Sequence, residues 1–270
     1  MIWPFFKKKP QNDTDFGKIR SGRRIYAIGD IHGRVDLLNL LLDQIQRDID
    51  ERPCVEPIVI FLGDYVDRGP SSADVVEGLV FGELPGKKHY FLRGNHEQMF
   101  LEFLDSPTQN ASWLEFGGNE TAFSYGAGIA RKTEPSELAK FSEALNQLVP
   151  GSHKAFLGSL IDFVEFDGYY FVHAGVRPGV ALSQQKASDQ LWIRDAFLNH
   201  DHNFEKVIVH GHTPREQPEN LPGRINVDTG AYATHKLTAV VLEADKRSFL
   251  TSENNSQQYE KLTGISKLEF

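Results

Sequence analysis

Ile25-Tyr26-Ala27-Ile28, followed by Gly29-Asp30-Ile31-His32-Gly33, reads as a buried strand that breaks into a glycine turn carrying a carboxylate and an imidazole. The same arrangement recurs downstream. Ile58-Val59-Ile60-Phe61-Leu62 runs into Gly63-Asp64-Tyr65-Val66-Asp67-Arg68-Gly69, and His89-Tyr90-Phe91-Leu92 into Arg93-Gly94-Asn95-His96-Glu97. Two later strands, Tyr169–Val172 and Lys206–Val209, end in His173-Ala174-Gly175 and His210-Gly211-His212-Thr213. In open α/β sheets ligands bind where loops converge beyond the carboxyl ends of strands, so five such loops can share one site.

Between these strands the periodicity changes from two to nearly four. Leu37, Leu41, Ile45 and Ile49 recur on one helix face after the first turn, and a second helix is expected near Ala73–Leu79. Strand and helix alternate, which predicts an α/β core. From about Met99 to Leu157 the pattern is helical, with segments around Gln98–Leu104 and Ser136–Leu148, and reads as a helical insertion or cap. Strands then return at Tyr169–Val172, Lys206–Val209, Arg224–Val227 and Leu237–Leu242, spaced closely enough for antiparallel pairing, so the fold class is α/β of the mixed α+β kind. Residues 1–22 are expected to form a flexible arm, 23–250 one catalytic domain containing the 99–157 insertion, and 251–270 a mobile polar tail.

Composition narrows the class. At 270 residues with 40% apolar and 24% charged side chains, the chain suits a single large globular domain with a sizeable core. A net charge of −8 argues against nucleic acid as partner, because that role needs a basic footprint. The single cysteine, Cys54, excludes an internal disulfide and is compatible with a reducing cytoplasm, the expected location. Met1-Ile2-Trp3-Pro4-Phe5-Phe6 precedes Lys7-Lys8-Lys9, the reverse of a secretory signal. That arm admits weak membrane-surface contact through residues 1–10, against the plainer reading of a solvated terminus.

The strand-end loops supply carboxylates, an amide and imidazoles but no thiolate, a donor set that suits Mn²⁺, Fe or Zn²⁺. Any one Gly-Asp turn is more often a local turn feature than a ligand. Five together, each at the end of a strand, are not accounted for that way. Two carboxylates, one amide oxygen and three imidazoles exceed what one catalytic ion with an open position takes. Two ions about 3.5–4 Å apart would use them all and clamp both oxygens of a phosphoryl transfer.

Gly-Asp-Ile-His-Gly, Gly-Asp-Tyr-Val-Asp-Arg-Gly and Gly-Asn-His-Glu, in that order, resemble the signature of the phosphoprotein phosphatases, the bacterial and phage-type serine/threonine protein phosphatases of the calcineurin-like metallophosphoesterases. The likeness extends through the His-Ala-Gly and Gly-His-Thr loops, across roughly residues 24–243. It implies a central β-sandwich of two mixed sheets flanked by helices. It further implies that Asp30 and His32 hold a first metal ion, that Asp64 bridges, and that Asn95, His173 and His212 hold a second, with Mn²⁺ the expected metal. His210 is then a neighbour rather than a ligand. Asp67 and His96 match a pair in which the imidazole protonates the leaving oxygen. Arg68 matches a phosphate-gripping arginine, and Arg194 resembles a second one. Asn119, Tyr125 and Arg177 are candidates for shaping the substrate pocket.

The implied reaction is hydrolysis of phosphoserine or phosphothreonine, with phosphotyrosine as a further option, in a phosphoprotein or phosphopeptide, through direct attack by a hydroxide bridging two metal ions. A symmetrical diadenosine tetraphosphatase shares most of the ligand pattern, but typically carries Asn where this chain has Asp67 and Asp where it has Glu97. Pro214, standing where many relatives outside the phosphatase branch carry a further histidine, favours the phosphatase branch. A non-catalytic relative would be expected to have gaps in this set, and none is found.

Overall fold

The computed structural model describes residues 15–128, 134–201 and 203–253. Two five-stranded sheets form its centre. The first comprises β1 (Arg23–Ile28), β2 (Glu56–Phe61), β3 (Lys88–Phe91), β9 (Lys236–Glu243) and β10 (Lys246–Glu253) in the order β10-β9-β1-β2-β3. The second comprises β4 (Phe163–Phe166), β5 (Tyr169–Val172), β6 (Val207–His210), β7 (Glu219–Asn220) and β8 (Arg224–Asn226) in the order β4-β5-β6-β8-β7. Both sheets are mixed. β1, β2 and β3 run parallel, as do β5, β6 and β8, while β9, β10, β4 and β7 pair antiparallel.

Strand alternation sorts the core into layers. Ile25 and Ala27 of β1, with Ile58 and Ile60 of β2, meet Tyr169, Phe171, Val207 and Val209 of the second sheet between the two sheets. Their alternates Tyr26, Ile28, Val59 and Phe61 face a helical layer. In that layer α1 (Val35–Glu51) buries Leu37, Leu38, Leu41 and Ile45, and α2 (Ser72–Phe81) buries Val75, Val76 and Leu79. The helices read as an insertion, α3 (Asn95–Asp105), α4 (Gly118–Ser124), α5 (Pro135–Leu148) and α6 (Gly151–Gly158), share this apolar cluster. They flank the first sheet alongside α1 and α2. On the outer face of the second sheet, Tyr170, Val172 and Ile208 pack on Ile193 and Phe197, near α7 (Ala187–Trp192) and α8 (Asp195–Leu198).

Three strands escape the sequence reading: β4, β7 and β10. β10 runs from within the expected domain across residue 250 into the first three residues of the expected tail, and it pairs with β9 along its whole length. It is an edge strand, and polar residues such as Lys246, Arg247 and Ser248 mask the strand pattern around Phe249 and Leu250. Gly17 and Ile19, within the expected arm, are held by the body. Ile19 is buried between the sheets, its N–H donates to the Ala244 carbonyl at 2.7 Å, and Tyr169 Oη donates to the Gly17 carbonyl at 2.8 Å. The proposed membrane contact of residues 1–10 lies outside the described residues. Among the described residues no helix is long and apolar enough to cross a membrane.

Candidate active site

Parallel pairing brings the carboxyl ends of β1, β2 and β3 to one edge of the first sheet, and the ends of β5, β6 and β8 meet them from the second. Asp30, His32, Asp64, Asn95, His173 and His212 are all buried there, each 4% exposed or less. The backbone is bent to reach the site. Of eight non-glycine residues with positive φ among the described residues, five lie in these loops: His32, Asp64, Asp67, Arg68 and His212. Such torsions cost of order 1–3 kcal/mol each and persist where surrounding structure over-determines them.

Two of the three imidazoles are oriented from behind. The Nδ1–H of His32 donates to the Val66 carbonyl at 2.9 Å and that of His173 to the Leu62 carbonyl at 2.9 Å, leaving both Nε2 atoms facing the centre. Around Asp64 Oδ2 stand His173 Nε2 at 3.4 Å, His32 Nε2 at 3.6 Å and His96 Nε2 at 3.9 Å. Asn95 Oδ1 is 3.0 Å from His173 Nε2, and His212 Nδ1 is 3.2 Å from it. The His212 backbone N–H donates to Asp30, at 3.0 Å from Oδ2.

Two trios, His32-Asp64-His96 and Asp64-His173-His212, have donor atoms close enough to hold a metal ion. The sequence-derived set separates His96 from the ligands, whereas geometry brings it within the first trio. The donor set fits divalent cations. Asp30, Asp64 and Asp228 are buried carboxylates in one neighbourhood, and buried charges are ordinarily paired or bound to metal. His212 turns Nδ1 towards His173 Nε2, and its Nε2 is buried without a hydrogen-bond partner.

Electrostatics follow this crowding. Burial lifts the Asp30 carboxyl well above its usual range, helped by Asp228. Burial pulls His32 and His212 down, and the charges of His173 and Arg194 add to the fall at His212. At His173 burial is overcome by the Asp64 carboxylate, which raises the imidazole to about 10. At His96 burial is likewise overcome, by Asp64 and by the hydrogen bond to Asp67, so its value rises.

Asp67 and His96 form a pair. His96 Nδ1–H donates to Asp67 Oδ2 at 2.7 Å. Asp67 is fully buried and accepts further bonds from Trp113 Nε1 at 2.9 Å and Thr121 Oγ1 at 2.7 Å. Arg68 lies across the centre. Its NH1 donates to His32 Nε2 at 2.9 Å, its NH2 to His96 Nε2 at 3.0 Å, and its guanidinium stacks 4.8 Å above the Tyr232 ring. Arg194 is exposed at the start of α8, close enough to act on His212.

Other candidates fall elsewhere. Tyr125 Oη pairs with His153 in the helical layer, and Arg177 forms an ion pair with Asp189, so neither reaches the centre. Asn119 lines a cleft beside Arg68. His210 faces the outer layer of the second sheet, with its ring edge on Phe197 and Nδ1 donating to the Gly211 carbonyl.

The sequence reading missed four contributors. Asp228 follows β8, whose carboxyl end joins the same edge. A sixth strand-end loop, Asp228-Thr229-Gly230, repeats the very pattern that marked the other five. Trp113 and Thr121 carry no such signal, because they act through Asp67, more than forty residues away. Tyr232, stacked on Arg68, reads in sequence as a lone aromatic in a loop.

The comparisons with known proteins agree with this construction. The asymmetrical bis(5'-nucleosyl)-tetraphosphatase PrpE of Oceanobacillus iheyensis is 26% identical over 234 residues, covering 80% of this chain and 87% of that protein. Serine/threonine-protein phosphatase 2 of Escherichia coli is 36% identical over 99 residues, 36% of this chain and 39% of that one. The crystal structure of a cold-active protein-tyrosine phosphatase from a psychrophilic Shewanella superposes with a TM-score of 0.51 at 18% identity, covering 91% of this chain and 89% of that one, a likeness of fold. The model of the calcineurin-like phosphoesterases matches residues 23–243, and the chain belongs to that family.

Proposed function

We propose that this phosphoesterase is a phosphomonoesterase acting on phosphoserine and phosphothreonine in proteins, with phosphotyrosine also accepted. The reading is carried by one observation, the buried Asp67-His96 pair at 2.7 Å standing beside Arg68 and the ligand cluster. Asp30, His32, Asp64, Asn95, His173 and His212 would hold two divalent cations, with Mn²⁺ proposed and Fe or Zn²⁺ compatible with the same donors. Such ions supply charge neutralisation at phosphorus and a nucleophile available at neutral pH.

The side chains do the rest. Arg68 and Arg194 grip the phosphate, and a planar guanidinium takes two of its oxygens at once. Asp67 fixes the His96 ring through Nδ1, so that Nε2 faces the leaving oxygen. Once Arg68 turns from Nε2 onto the phosphate, His96 takes up a proton at Nε2, and that proton passes to the departing alkoxide. Trp113 and Thr121 keep the Asp67 carboxylate in place during that transfer.

A second reading rests on the relatives matched along most of the chain, which are named as asymmetrical dinucleoside tetraphosphatases. Here the same site would cleave a polyphosphate. The deciding experiment strips the protein of metal, adds back Mn²⁺, and compares phosphate release from a phosphothreonine peptide with cleavage of diadenosine tetraphosphate, using Asp64→Asn alongside. Peptide turnover that needs metal and is lost in the variant supports the protein phosphatase. Cleavage of the dinucleotide alone overturns it. The working location proposed is the cytoplasm, in keeping with the lone thiol of Cys54.

A further inference from the structure

Beside Arg68 opens a cleft of about 460 Å³, lined among others by Leu114, Glu115, Phe116, Glu120 and Tyr232. No step of the phosphate chemistry uses it. Its wall is the 3-10 turn Ala111–Phe116 and the start of α4, and that wall is fixed to the arginine. The Arg68 N–H donates to the Gly117 carbonyl at 3.3 Å. Gly117 has φ of 105°, and a Cβ there would stand 2.4 Å from Arg68 N, so only glycine lets the two backbones meet. Whatever occupies the cleft therefore sits at a set distance from the phosphate grip, within a residue or two of a phosphorylated side chain.

The lining specifies an occupant. Phe116 is 53% exposed and Tyr232 37%, offering apolar surface, and the exposed residues Glu115 and Glu120 line the same cleft. This suits a long side chain whose aliphatic stem lies on the aromatic surface while a cationic head meets carboxylate. The same carboxylates repel a polyphosphate led past Arg68. The chain's net charge of −8 acts in the same direction at longer range.

We infer that this cleft is a substrate subsite selecting a basic residue, arginine above all, next to the phosphorylated one. The inference rests on the protein phosphatase reading. Matched phosphothreonine peptides bearing Arg, Ala or Glu at each position within two residues of the phosphothreonine test it, compared by kcat/KM on the wild type, Glu120→Gln and Glu120→Lys. Each protein is scored by its ratio of Arg-peptide to Glu-peptide, so a general loss of activity cancels. The expected ratio is about five- to tenfold in the wild type, smaller in Glu120→Gln, and reversed in Glu120→Lys. A ratio near one in the wild type, or one that Glu120→Lys leaves unchanged, overturns the subsite while the phosphatase reading stands. Failure to hydrolyse any phosphopeptide overturns both.

Discussion

His96 carries two relationships that separate its roles. Its Nδ1 is bound to Asp67, and its Nε2 lies 3.9 Å from Asp64 Oδ2, within reach of the metal-competent trio. A proton donor matters most when the leaving group is a poor one. His96→Asn should therefore lower kcat by about 10²–10⁴-fold on phosphoserine peptides. On p-nitrophenyl phosphate, whose leaving group needs little protonation, the loss should be much smaller. Steady-state kinetics on both substrates measures this. Equal losses, together with a lower metal content, would assign His96 to metal binding instead. Asp67→Asn should follow the same pattern, because the amide no longer holds Nδ1–H as firmly.

At the scale of elements, Glu97 ties two loops together from the first turn of α3. Its carboxylate accepts the backbone N–H groups of Asp64 at 2.9 Å, Tyr65 at 2.7 Å, Val66 at 3.2 Å and Gly94 at 2.9 Å. Four donors on one buried carboxylate pin Asp64 at its positive φ. Glu97→Gln turns an NH₂ towards part of this set, so it should cost about 1–3 kcal/mol in stability. Supporting groups of this kind also change metal affinity by roughly 10–100-fold. Thermal melts and a Mn²⁺ titration check both effects. At the opposite edge of the sheet, Glu56 at the start of β2 joins Arg20, Arg23 of β1 and Lys88 of β3. Hydrogen bonds from Lys88 and Arg20 bring its carboxyl down from 4.5 to about 2. The folded value is depressed, so this contribution is fully present above about pH 4.5 and is lost as pH falls through 4.5 towards 2. Denaturant midpoints of Glu56→Gln should fall below wild type at pH 6 and converge with it near pH 2.

For the whole molecule, the clustered carboxylates Asp30, Asp64 and Asp228 would make metal binding part of the folding balance. Ions that bind only the folded state stabilise it by mass action, about 2.7 kcal/mol at a hundredfold excess over Kd. Chelation should thus lower Tm by roughly 5–10 °C for a domain of this size, and Mn²⁺ should restore it. Asp64→Asn should show little response to either. Scanning calorimetry with and without chelator reads both, and an unchanged wild-type Tm would contradict metal binding by this cluster. β10 makes a second whole-molecule contribution. It covers the open edge of β9, and Phe249 and Leu250 pack against the two apolar clusters on either face of the first sheet.

Local patterns in the sequence determined the alternating strands and helices, the buried face of α1, and the five polar loops that the parallel strands carry to one edge. Those features depend on neighbours within a few residues, through period-two and period-3.6 burial and through glycine turns, so one dimension suffices to read them. Tertiary structure alone decided that Trp113 and Thr121 hold Asp67, that Gly117 docks on Arg68, that Glu97 clamps the Asp64 loop, and that Ile19 and β10 belong to the body. Asp228 differs from these, because its loop repeats the strand-end pattern of the sequence and the fold only brings it beside Asp30. The others are contacts between residues mostly tens of positions apart, set by how layers pack and which backbones can approach. No periodicity along the chain records them.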